Sequence, residues 1–130
     1  MNYVKINGIP FDVKVAISDY DEYFNVLDGE NAGRALSGKM IRDVIGTYIG
    51  HRVTFFSTDN RAGFDELWAY LLAHSVDDSV KLEAADNQTS ISYDAYYTSG
   101  SRKLKKVENG VNYWDEIQIN FIPIDAQLRP

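Results

Sequence analysis

Apolar and polar residues alternate along most of this chain, and a single stretch changes to the spacing of a helix. Val4 and Ile6 precede an Asn7-Gly8 pair, and Ile9, Phe11, Val13, Val15 and Ile17 follow it at intervals of two. Asn-Gly favours the positive φ angles of a type I′ turn, so the pattern predicts a β-hairpin. From Ser18 to Gly29 the chain becomes acidic and aromatic through Asp19, Tyr20, Asp21, Glu22, Tyr23 and Phe24, and reads as a loop or an irregular strand. Thr47 to Ser57 alternates again, with Ile49, Val53 and Phe55 on one face and Tyr48, Arg52, Thr54 and Phe56 on the other. That is the pattern of a strand between two partly covered faces.

The change of period comes next. Phe64, Leu67, Trp68, Leu71 and Leu72 fall at i, i+3, i+4, i+7 and i+8, behind the cap-competent Thr58, Asp59 and Asn60. The spacing predicts an amphipathic helix from about Arg61 to His74 with those five residues facing a sheet. Val80 to Glu83 is a short strand, and Thr89 to Thr98 alternates through Ile91, Tyr93, Ala95 and Tyr97. A ribbon then turns at Asn109-Gly110 and returns through Val111, Tyr113, Ile117, Ile119 and Phe121, ending where Pro123 marks a strand edge or end. Sequential antiparallel strands with one helix imply an α+β, mostly β fold. Two packed antiparallel sheets, a sandwich or partly open barrel, would carry the helix on one flank. At 130 residues the chain is one domain, long enough to bury a single core.

One segment fits neither period. Asn31 to Gly46 is glycine-punctuated and cationic, too long for a tight hairpin turn and too poor in apolar residues to build a core. It reads as a flexible loop whose task lies outside the domain, docking onto another protein, with Gly33, Arg34, Lys39, Met40, Arg42 and Asp43 as the contact residues.

Charge sharpens that reading. The net charge is -6, yet residues 32–46 carry Arg34, Lys39 and Arg42 against Asp43, and residues 98–110 carry Arg102, Lys103, Lys105 and Lys106 against Glu108, which leaves -11 on the rest. Two basic projections on an acidic body suit contact with the acidic surface of a neighbouring copy, the second arm being Arg102, Lys103, Lys105 and Lys106. The alternative is a solvated hairpin with no partner. An acidic chain repels phosphates, so general nucleic-acid affinity and sequence recognition are not expected.

Several chemistries find little support. The chain has no cysteine, which excludes disulfides, thiol nucleophiles and thiolate metal sites. No signal peptide and no apolar run near the roughly 18 residues of a membrane span are visible, so a soluble protein made in the cytoplasm is expected. Gly33, four residues, then Gly38-Lys39 approaches the phosphate-binding loop, but Met40 stands where Ser or Thr must hold magnesium. His51 reads as an exposed strand residue and His74 as a helix C-terminal residue favoured by the macrodipole, without metal-ligand spacing. Asp19, Asp21 and Glu22, and Asp77 with Asp78, read as acidic loops, and Asp28-Gly29-Glu30-Asn31 as a turn rather than a calcium loop. No cofactor, metal or catalytic residue is assigned, and no enzyme activity is expected. Tyr93, Tyr96, Tyr97, Tyr113 and Trp114 have two readings: an aromatic platform for carbohydrate or a host surface, or cross-strand packing pairs.

Ala32-Gly33-Arg34, Ser37-Gly38-Lys39-Met40, Arg42-Asp43 and Ile45-Gly46 resemble a segment that recurs in short tail proteins, of tail-tube or distal-tail type, of long-tailed bacteriophages and prophages of Gram-positive bacteria. The order of elements is similar over nearly the whole chain, down to a closing motif like Trp114, Ile117, Ile119, Asn120, Phe121. Phe56, where a tryptophan is expected, and the acidic insert around Asp19–Glu30 depart from the pattern. The resemblance implies a tail-tube-like fold that assembles side by side into rings, in the host cytoplasm and then in the virion tail, with itself and other tail proteins as partners. It implies no catalysis, and it makes the 33–46 loop and the 102–106 ribbon contact arms.

Overall fold

The computed structural model describes Val4 to Pro130; Met1–Tyr3, the start of the alternating N-terminal run, lie outside the described residues. The elements in order are β1 (Val4–Ile6), β2 (Val13–Val15), a 3-10 turn (Ile17–Asp19), β3 (Asp21–Asp28), β4 (Gly33–Arg34), β5 (Met40–Ile41), β6 (Val44–Ser57), α1 (Arg61–Ala73), β7 (Val80–Asp86), β8 (Thr89–Tyr96), β9 (Gly100–Glu108) and β10 (Val111–Pro123). The fold is α+β and mostly β, as the periodicities predict.

The main sheet is antiparallel, in the order β1-β7-β8-β10-β6-β2, with β3 also on β6 and β9 also on β10. Strand β10 joins its two halves: it pairs with β9 and β6 along most of its length, and its last residues, Ile122 and Pro123, pair with Tyr96 and Ala95 of β8. The sheet nearly closes into a barrel, the end strands β1 and β2 following one another in the chain through the Asn7-Gly8 turn without pairing. The small β4–β5 ladder stands apart from it.

The first hairpin needs correction. Asn7 and Gly8 have the positive φ of the expected turn, 52° and 78°, but the ladder stops after a single Ile6–Ile9 bridge. Pro10 has no N–H to continue it. β1 pairs instead with β7, Ile6 opposite Leu82, and β2 with β6, Val15 opposite Phe55. The Asn109-Gly110 turn, with φ of 53° and 76°, does make the β9–β10 hairpin, and β10 ends at Pro123. Ser18–Gly29, expected as a loop or an irregular strand, resolves into the end of the 3-10 turn and an eight-residue strand, β3, whose register shifts before Asp28.

Helix α1 begins where the Asn60 side chain accepts a hydrogen bond from the Gly63 amide at 3.2 Å, an N-cap. Phe64, Leu67 and Leu71 are buried against Val53, Phe55, Leu82, Ala95, Ile117, Ile119 and Phe121. Trp68 is half-buried, but Leu72 is 57% exposed and does not face the sheet. At about 100° per residue, Leu72 points about 100° away from Leu71, beyond the strip the sheet covers.

Candidate functional site

The outlying feature is an arm built on β3 and the first half of β6. The two strands pair from Asp21–Arg52 to Leu27–Gly46, with a bulge before Asp28–Val44. At its base the arm is fastened by three polar side chains. The Tyr20 hydroxyl donates to the Ala85 carbonyl (3.1 Å), the Tyr23 hydroxyl donates to Asn120 (2.7 Å), and Glu22 meets His51 Nε2 at 2.9 Å. Tyr23 also lies across Gly50, where its ring occupies the position a Cβ would take, and beneath the Arg52 guanidinium. Only glycine permits that approach.

His51 corrects the sequence reading, because it is fully buried rather than exposed. Its Nδ1 is 2.6 Å from the Tyr93 hydroxyl. In a neutral ring, a carboxylate accepting at Nε2 fixes the proton on that nitrogen and leaves Nδ1 to accept from the Tyr93 hydroxyl. The signal was present in the chain: the parity that turns Val53 and Phe55 inward turns His51 inward with them.

Farther out, the same face of the arm has no cover. Glu22, Phe24 and Val26 share one side of β3, and beyond the buried His51 contact Phe24 is 69% exposed and Val26 is exposed too. Leu27 and Ile45 add apolar surface. One edge of β6 here is held by the C-terminal segment: Thr47 bridges Leu128, and the Gln127 side chain bonds both backbone groups of Ile49. The outer edge of β3 pairs with no strand among the described residues.

The 31–46 segment continues this arm, and it is not an irregular loop. Gly33 and Arg34 form β4, Met40 and Ile41 form β5, and a tight turn with Gly38 at φ 85° joins them through Gly38 N–H to Ala35 O and Ala35 N–H to Lys39 O, both 2.8 Å. The base is clasped by Gly29 N–H to Asp43 O at 2.6 Å and by Arg42 to Asp28 at 2.8 Å. The Asp28 carboxylate raises the Arg42 pKa further. Arg42 therefore has its partner within the chain, while Arg34 reaches only the Gly38 carbonyl and Lys39 has no carboxylate partner among the described residues. No helix follows Gly38-Lys39, so the phosphate-loop geometry is absent.

The cations of the expected second arm have partners within the chain. Arg102 bonds Asp65 (3.2 Å) and lies over the rings of Trp68 and Trp114. Lys105 and Lys103 both bond Glu116, at 2.9 and 3.1 Å, and lower its pKa. Glu116 sits at φ 56° in the β10 irregularity, so these lysines reinforce the β9–β10 hairpin. Lys106 pairs with Glu108 and covers Tyr113.

The five aromatics do not share a face. Tyr93 is buried against His51, and the Tyr97 hydroxyl donates to the Leu71 carbonyl at 2.6 Å. Tyr96 lies on the other side of β8, and Tyr113 and Trp114 lie under cations on β10. His74 caps α1 and bonds Asp77 at 2.6 Å. Among the described residues no group of three or more His, Asp or Glu side chains is placed to hold a metal, and no helix is long and apolar enough to cross a membrane.

Burial raises the hydroxyl pKa of Tyr20 and of Tyr97 to about 12, and that of Tyr93 higher still. Unfolded tyrosines ionise near 10, so the folded protein binds more protons above that pH. The contribution of these tyrosines to stability is therefore expected to be constant below pH ~10 and to fall as pH rises from ~10 through ~12. Denaturant titrations at increasing pH check this, and a Tyr20→Phe/Tyr97→Phe variant should show a shallower fall.

No protein-family model matches this chain, and no curated protein matches it significantly in sequence.

Proposed function

We propose that this chain is a non-enzymatic structural component of a phage or prophage tail, acting by self-assembly into a ring-like oligomer or by docking to other tail proteins. One observation carries the reading: a rigidly based β3–β6 arm exposes Phe24, Val26, Leu27 and Ile45 beside an unpaired strand edge. An open edge flanked by apolar side chains invites another chain, and isolated domains normally blunt such edges. The resemblance of the 31–46 segment to tail proteins supplies the class of assembly. Chemistry supports the non-enzymatic part, because the one histidine with both ring nitrogens engaged by side chains is sealed from any substrate.

The test is sedimentation of wild type and a Phe24→Asp/Val26→Asp variant, alone and with co-expressed tail proteins. Both side chains are exposed, so the variant should melt near the wild-type temperature. Its association should be at least tenfold weaker, about 1.4 kcal/mol. Equal association of the two proteins under all conditions contradicts the reading.

A further inference from the structure

The fold leaves a second apolar feature uncovered, beyond the base of the arm and far from its tip. Between α1 and the Tyr97–Gly100 turn lies a slot of about 490 Å³, lined chiefly by Trp68, Leu71, Leu72, Tyr97 and Ile119. Leu72, which the sheet does not cover, forms part of its wall. At the tip of the two-stranded β4–β5 ribbon, Leu36 is fully exposed in the tight turn between the strands.

We propose that this slot receives the ribbon tip of a second copy of the chain, with Leu36 entering it. The inference rests on the assembly reading above and adds a receptor, an occupant and a direction. Charge selects the occupant. From Asn31 to Ile41 the ribbon carries Arg34 and Lys39 and no acid. From Asp59 to Asp78 the helix and its flanks carry Asp59, Asp65, Glu66, Asp77 and Asp78 against Arg61, and Arg102 packs on the helix from β9 through Asp65 and Trp68. Asp65 is already paired with Arg102, whereas Glu66 has no cation partner among the described residues, nor has Asp78, which follows the slot residue Ser75. An apolar side chain between two cations thus faces an apolar slot on a carboxylate-rich element.

The tip does not fill the slot of its own molecule, as the full exposure of Leu36 requires. The ribbon leaves β6 at Val44, whereas the slot residue Ile119 pairs with Val53, roughly 30 Å along the strand at about 3.3 Å per residue. Tip and slot are different patches, so each contact leaves a free tip and a free slot. Such a head-to-tail interface propagates, and closes into a ring where the rotation permits.

The absence of cysteine allows a direct test. Leu36→Cys and Leu72→Cys are prepared as separate variants, both at exposed positions, and mixed under mild oxidation. A disulfide requires Cα atoms within about 7 Å, so it reports contact. The expected result is a covalent dimer formed several-fold more in the mixture than in either variant alone. Its yield should fall at high salt and on adding Arg34→Glu/Lys39→Glu to the Leu36→Cys chain. Equal yield from Leu36→Cys alone, or no excess in the mixture, overturns the proposal. Sedimentation of the same samples under reducing conditions separates the two readings. Association without the mixed disulfide rejects the slot and keeps the assembly; no association rejects both.

Discussion

A Phe121→Ala variant is expected to lose about 3–5 kcal/mol of unfolding free energy. Phe121 is fully buried at the centre of the core, on the one strand that belongs to both halves of the sheet, and its ring meets Tyr97 edge-on at 5.9 Å. Removing the ring leaves a cavity between β6, β10 and the elements packed on them, which a β framework paired on both sides cannot easily collapse to fill. Total stability of a domain this size is of order 5–15 kcal/mol, so the variant should be marginal. The melting temperature should fall by about 10–20 °C. Thermal and urea unfolding measure it, and a loss below about 1 kcal/mol would remove Phe121 from the centre of the core. Trp68→Ala should cost less, because that ring is half-buried with Arg102 over its face.

The second large effect is expected at His51. Phenylalanine fills the space but offers Tyr93 no acceptor, and Tyr93 is only 7% exposed. A buried hydroxyl left without a partner costs about 1–3 kcal/mol, whereas Glu22, at the margin, rehydrates. His51→Phe should therefore destabilise by about that amount, and adding Tyr93→Phe should recover much of it, a coupling that a double-mutant cycle reads directly. Loss of the Glu22 contact also frees the base of β3, so hydrogen exchange should rise in Asp21–Asp28 more than in β7 or β8. A neutral His51→Phe, or additive single effects, would show that the Glu22–His51–Tyr93 chain has no structural weight.

The local features of this protein were legible because they depend on neighbouring residues alone. Asn7-Gly8 and Asn109-Gly110 make turns wherever the strands go, since their positive φ is a property of those residues. The 3.6-residue spacing from Phe64 to Leu71, with Asn60 before it, defines a helix and its buried side. Parity within β6 even assigns His51 to the inside, although its neutral and acidic partners lie 42 and 29 residues away. Pairing was not legible, because it is a competition among distant segments. β1 lies beside β7 rather than β2, and the irregular-looking acidic stretch becomes a strand because the long β6 offers it a partner. The same holds for charge. Sequence alone makes 102–106 more basic than the 31–46 segment, but folding brings Asp65 and Glu116 to the first and leaves Arg34 and Lys39 without carboxylates. The sequence thus determined the periods, the turns and the total charge. Only the tertiary structure decided which edge, which apolar side chains and which cations remain free to meet a partner, because each is what long-range pairing leaves unused.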